Sequence, residues 1–234
     1  MAPYLDSDSD AINDIEYVAH ITALTAQKNG IDVDTTKDTP QSKSGLLQAS
    51  PYTTREHLLD LSTLAPPLQL FAKSLLHMQA LRSDYATAPY SQAFNWQSIV
   101  DAYSDVATDN KVQLRLEPLH YFVVVFRSRI NLDADRILLG QLDAAAHVEA
   151  VDGGGLLKYW FGTPDASGRN LATCIWRNRE DARRGGGGPG HIGAMMAARR
   201  MYNEWFVERL KLSVDPRARS WSFSVWEGTL DGPT

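Results

Sequence analysis

Two histidines in this chain stand where a proton could be moved. His147 lies near the end of "NLDADRILLGQLDAAAHVEAV", and His191 directly follows "GGGGPG". An imidazole titrates near neutrality, so either ring can serve as general acid or base. A helix beginning at His191 would favour the neutral ring and keep it a base. Each has a plainer alternative: His147 as a surface ring favoured by a helix C-terminus, and His191 as a loop ring in water. Tyr159 can orient an oxygen. Trp160, Trp176 and Trp226 offer walls for a flat apolar molecule, the alternative being packing in a core or dimer interface. Arg127, Arg129 and Arg177 at strand ends, and Lys158 within a strand, can bind a carboxylate or enolate through charge-assisted hydrogen bonds. The competing role for these cations is an ion pair with Glu180, Asp181 or Glu227.

Other chemistries have less support. No His, Asp or Glu set has metal-ligand spacing, so neither a metal nor a cofactor is expected. "RRGGGGPGH" offers glycine N–H groups, with Arg183 and Arg184, to an anion at a helix start. It lacks the Gly-Lys-Ser/Thr ending of a nucleotide loop and follows a polar stretch, so Gly185–Gly188 read as a lid or plain loop. Cys174 is the single cysteine, which rules out an intrachain disulfide. Its apolar setting, "LATCIW", raises the thiol pKa and makes it an inert core residue. Tyr202 and Trp205 also read as core.

The elements that must position these groups can be read from pattern. Residues 1–50 are acidic and polar, with an ambiguous short element at Ile15–Ala26 and a linker over 28–51. Residues 51–111 read as a helical extension. A weak helix start lies at "TTREHLLDL". Pro66 and Pro67 open a helix whose stripe is Leu68, Phe71, Leu75 and Met78, and "WQSIVDAYSDVA" forms another with Trp96, Ile99, Val100 and Tyr103 on one side. Residues 112–228 read as strand Tyr121–Ile130, a helix striped by Leu138, Leu142 and Ala145, a hairpin "LLKYWFG"/"LATCIWRN", a long helix over "HIGAMMAARRMYNEWFVERLKL", and a last strand "SWSFSVWE". The order β-α-β-β-α-β predicts an α+β, ferredoxin-like, four-stranded antiparallel sheet with two helices on one face.

Such a sheet has a second face that needs a cover, either a second copy or residues 53–108. Alternation assigns Trp221, Phe223 and Val225 to the helix side. It assigns Ala172, Cys174, Trp176 and Trp226 to the open side, and Tyr159, Trp160, Trp176 and Trp226 are read together as an aromatic set on that face.

The β-α-β-β-α-β arrangement and "WRNREDA" resemble the dimeric α/β-barrel superfamily. Residues 51–226 resemble an uncharacterised fungal family more closely, through "LRSDYATAPYSQAFNW", "YFVVVFRSR", "GGLLKYWFG", "RNLATCIWRNREDARRG" and "GPGH", with Tyr202, Glu204 and Trp205 beyond. The barrel resemblance implies a small-molecule pocket and does not name a reaction. The expectation is a cofactor-independent cyclase, isomerase or dehydratase acting on a hydrophobic polyketide- or terpenoid-like molecule by acid–base catalysis. His147, His191 and Tyr159 would be catalytic, and Trp160, Trp176, Trp226, Arg127 and Arg177 would bind substrate. The alternative is a non-catalytic binding or homodimeric interaction protein.

The 234 residues contain 44% hydrophobic and 22% charged side chains, enough apolar material for a core. A net charge of -5 argues against nucleic acid as a partner. No basic-then-apolar leader opens the chain and no apolar run approaches the roughly 20 residues of a membrane span, so a soluble cytoplasmic protein is expected.

Overall fold

Apolar residues crowd both sides of the strand from Leu119 to Ile130, and the fold is built outward from it in two layers. The computed structural model describes residues 45–112 and 117–227. The element expected at Ile15–Ala26 lies outside the described residues. The architecture is mixed α+β, with a two-stranded and a five-stranded antiparallel sheet.

Strands β1 (Leu46–Leu47) and β2 (Leu59–Asp60) form the small sheet. Helices α1 (Pro66–Ser74), α2 (Tyr90–Ala93) and α3 (Trp96–Asp109) follow. The main sheet comprises β3 (Leu119–Ile130), β4 (Leu156–Phe161), β5 (Arg169–Trp176), β6 (Tyr202–Asp215) and β7 (Ser220–Val225), in the spatial order β4-β5-β3-β6-β7. Helix α4 (Arg136–Gly153) connects β3 to β4, while α5 (Arg179–Gly185) and α6 (Pro189–Met201) connect β5 to β6.

The sheet therefore has five strands, not four. The expected long helix stops at Met201, and the next fourteen residues form β6. "YNEWFVERLKLSVD" carries Glu, Arg, Leu and Lys, which favour helix on their own. Pairing along the whole of β3 overrides that propensity, because it buries Leu212 and Val214 at period two. The strand "SWSFSV" is consequently β7, added at the sheet edge against β6.

The two sheet faces are also assigned the other way round. Phe122, Val124, Phe126, Tyr159, Ala172, Cys174 and Trp176 face α4 and α5, packing with Leu139, Ala146, Ala150 and Ala182. Tyr121, Val123, Val125, Leu157, Leu171, Ile175, Leu212 and Val214 face the N-terminal layer. That layer supplies Phe71, Leu75, Trp96, Ile99, Val100 and Tyr103, each at most 1% exposed. Burying a side chain of this size stabilises the fold by about 1.5–3 kcal/mol. Trp221 and Phe223 pack on Trp96 here, and Val225 stays 70% exposed. The cover of the second face is thus residues 59–107 of the same chain.

Other local readings change too. "TTREHLLDL" contains one 3-10 turn, Arg55–His57, and strand β2 rather than a helix. The end of the supposed linker is tied down, because β1 pairs with β2 and Ala49 O accepts the Tyr159 N–H at 2.9 Å. In α4 the buried stripe is Leu139, Gly140, Asp143, Ala146, His147 and Ala150, whereas Leu138 is 38% exposed. The helix is rotated relative to its most apolar residues because two polar side chains occupy the inward face.

Candidate functional site

Ala146 and His147 lie three and four residues after Asp143, and Ala150 lies four and three after them, which puts all four on one face of α4. Asp135 fixes the start of that helix by accepting the N–H groups of Ile137 and Leu138, both at 3.0 Å. The alanines leave space against the sheet. A cavity of about 10 Å³ remains there, lined by Asp143, Ala146, His147, Ala150, Leu156, Tyr159, Cys174 and His191. Its volume suits one water-sized group. The fold has therefore brought His147, His191 and Tyr159 to a single space.

Asp143 is completely buried. It accepts the phenolic hydrogen of Tyr52 at 2.7 Å and that of Tyr159 at 3.1 Å. Burial beside Asp143 raises the Tyr159 pKa far above its usual value, so the phenol stays a donor. His147 is 5% exposed. Its Nδ1 lies 2.8 Å from Nδ1 of His57, a ring delivered by the 3-10 turn Arg55–His57. Tyr52 stacks on His57 with ring centres 4.3 Å apart. The Nε2 atom of His147 is buried with no hydrogen-bond partner among the described residues. Burial first, then the nearby His57 and His191, lower the His147 pKa to about 3, so the ring is neutral. Burial also lowers the pKa of His57.

His191 is 3% exposed and lies within α6, so it is not a loop ring in water. Its Nδ1 lies 2.7 Å from Glu149 Oε2. Glu149 also accepts the N–H groups of Gly190 at 2.6 Å and His191 at 3.0 Å. Burial pushes the Glu149 pKa up, but the His191 ring and the two amides outweigh it and hold the carboxylate below its usual range. The start of α6, where the glycine run suggested an anion, is thus filled by the chain's own carboxylate. Gly188 leaves room for this contact, since a Cβ there would sit 2.4 Å from the Glu149 carboxyl carbon and displace it. For His191, burial lowers the pKa and Glu149 partly opposes it.

The expected substrate-binding residues do not converge. Trp176 shares the α4 face of the sheet and lies beside Gly185 rather than lining the cavity. Trp226 packs edge-on against Phe122 at 5.0 Å. Trp160 is on the opposite face, against Tyr85 and Phe94. Arg127 pairs with Glu208 at 2.5 Å and donates to the carbonyls of Tyr85, Ala86 and Ala88, clamping the loop before α2. Arg177 is bidentate to Asp181 at 2.6 and 2.9 Å. Arg129 pairs with Glu204. These cations hold the fold together. No group of three or more His, Cys, Asp or Glu among the described residues could hold a metal ion.

Sequence reasoning missed Tyr52, His57, Asp143 and Glu149. Asp143 had a usable signal, four residues before His147 on the same helix with alanines between. Tyr52 and His57 had none, because their partners are about ninety residues away.

A model of the PB2B2.08-like family matches residues 48–225, a span that includes every residue of this cluster. The chain is 34% identical over 223 residues to the UPF0643 protein PB2B2.08 of Schizosaccharomyces pombe, covering 88% of this chain and 97% of that protein. No solved structure matches. No helix among the described residues is long and apolar enough to cross a membrane.

Proposed function

The chain belongs to the PB2B2.08-like family, and we propose that it is a cofactor-independent acid–base enzyme acting on a small, largely apolar molecule. The observation that carries this reading is the buried, unpartnered Nε2 of His147 beside a cavity that Tyr159 and Asp143 also line. A neutral imidazole, a protonated phenol and a carboxyl group can together shift a proton and steady the oxygen from which it comes. Ala146, Ala150, Leu156 and Cys174 make the rest of the wall apolar. The reacting oxygen end of the substrate enters, and its apolar remainder lies outward. Isomerisation, cyclisation and dehydration of a polyketide- or terpenoid-like compound each require such a proton transfer.

The strand order β4-β5-β3-β6, with α4 and α6 in the connections, supports a ferredoxin-like unit carrying β7 as an extra edge strand. Closure of two such sheets into a barrel is not part of the proposal, because the face it would use is filled by α1 and α3. A homodimer would need another surface.

The test is incubation of the purified protein with a small-molecule extract, without added cofactors, followed by mass spectrometry. A compound consumed by the wild type and untouched by His147→Ala supports the reading. Identical profiles for the two proteins overturn it. The second reading is a non-catalytic binding protein, favoured by the hydrogen bonds within the chain that already engage Asp143, Glu149 and His147 Nδ1. It expects a ligand retained unchanged by both proteins.

A further inference from the structure

The two rings of the histidine pair occupy unlike positions. His147 Nε2 is sealed inside, next to the cavity. His57 is not among the residues with a sealed, unpartnered ring nitrogen, and it follows four exposed residues, Thr53–Glu56, so it is the end of the pair nearer solvent. Between them the Nδ1 atoms are 2.8 Å apart. At that distance one nitrogen must donate and the other accept, which couples the tautomers of the two rings.

We propose that His57 is a positioning residue that passes protons between solvent and the cavity through His147. When His57 Nδ1–H donates, His147 accepts at Nδ1 and carries its own proton on Nε2, beside the cavity. A base in the cavity takes that Nε2 proton, His147 Nδ1 takes the proton of His57 Nδ1, and His57 Nε2 takes one from water. The cavity gains one proton and the solvent loses one. Both rings end neutral with their tautomers exchanged, and the reverse sequence removes a proton from the cavity.

This route avoids a difficulty in the site. Burial and the neighbouring rings strongly disfavour an imidazolium at His147. Tautomer exchange moves the proton without placing a lasting charge there. The groups packed around the pair are compatible with it. Tyr52 stacks on His57 and donates its hydroxyl to Asp143, Tyr159 donates to Asp143, His191 is held by Glu149, and Glu56 is exposed. None of these bonds competes for either Nδ1. The relay rests on the acid–base reading for its use, because it matters only if a group in the cavity gains or loses a proton.

The experiment is nitrogen-15 NMR of the full chain with labelled histidine, comparing wild type with His57→Phe, which keeps a ring against Tyr52. In the wild type the His147 ring is neutral and its ring proton exchanges with water. In His57→Phe, with an unchanged amide fingerprint, the exchange is at least about tenfold slower, since it must wait for local opening. Equal exchange rates in the two proteins, or an imidazolium at His147 at pH 7, overturn the relay. If His57→Phe does not fold, His57→Gln serves, because its amide can bond to His147 Nδ1 but cannot pass a proton on. The measurement needs no substrate. A failed relay therefore leaves the acid–base reading standing, and a failed search for turnover leaves the relay standing.

Discussion

Tyr52 donates its phenolic hydrogen to Asp143 at 2.7 Å and so pins the segment before the first 3-10 turn onto the inward face of α4. The same carboxyl group accepts from Tyr159, so one buried side chain joins three parts of the chain. Removing either end takes one hydrogen bond from a group held inside the fold. Tyr52→Phe is expected to lower stability by about 1–2 kcal/mol, and Asp143→Ala by about 2–4 kcal/mol, because it takes an acceptor from two hydroxyls and opens a hole. Urea unfolding of the two variants is the check. An Asp143→Ala loss no larger than that of Tyr52→Phe would mean that the cluster does not act as one unit.

The buried histidines make the fold sensitive to acid. The His147 pKa lies at about 3, below the usual 6.5, and those of His57 and His191 are also lowered. Between pH 6.5 and about 3 the unfolded chain binds protons that the folded chain refuses. Stability from these rings is therefore complete above 6.5 and falls as the pH drops through that window. Each ring contributes a slope of up to about 1.4 kcal/mol per pH unit. Denaturant midpoints measured from pH 7 to pH 4 should fall steeply for the wild type and less steeply for His147→Gln.

Glu149 stands at the head of α6, taking two backbone N–H groups and the His191 ring. Glu149→Ala should cost about 1–2 kcal/mol, as expected for a lost helix cap. Glu149→Gln keeps one of the two acceptor oxygens, replaces the other with a donor and removes the charge. It should therefore lower the His191 pKa further, since Glu149 now opposes the effect of burial. Titration of the His191 ring by NMR separates the two roles. A rise in its pKa in Glu149→Gln would contradict the support that Glu149 gives to the protonated ring.

The strand β3, the β4–β5 pair, α1 and α3 were legible because their apolar spacing is set by burial on one side or both. Phe71 and Leu75, or Trp96 and Ile99, can be read without knowing what they touch. His147, His191 and Tyr159 could be singled out by residue type, and the fold does gather them. β6 was not legible, because "NEWFVERLKL" has helix-favouring composition and apolar residues at both periods, so only its pairing with β3 decides. The aromatic wall failed for a related reason. Alternation ranks residues within a strand but does not say which face the helices cover. Tyr159 and Trp160 are neighbours in the regular part of β4, opposite Cys174 and Thr173, so alternation alone puts them on opposite faces.

Lys158 provides a last prediction. It sits on β4 opposite Ile175, beside the fully buried Leu157, and is itself only 8% exposed. No ion pair or side-chain hydrogen bond holds its amine among the described residues. Burial alone lowers its pKa to about 8, from the usual 10.5. Below about pH 8 the folded protein carries a charged, poorly solvated amine, and the full penalty is present. Between about 8 and 10.5 the unfolded chain holds a proton that the folded chain has released, so stability rises with pH across that window. Lys158→Met removes the amine and keeps the apolar stem. It should raise stability at pH 7 by about 1–3 kcal/mol and flatten the rise above pH 8. Chemical unfolding of both proteins at pH 7, 9 and 10 reads both effects. If Lys158→Met is less stable than the wild type at pH 7, the amine has a favourable role in the fold and is not merely tolerated there.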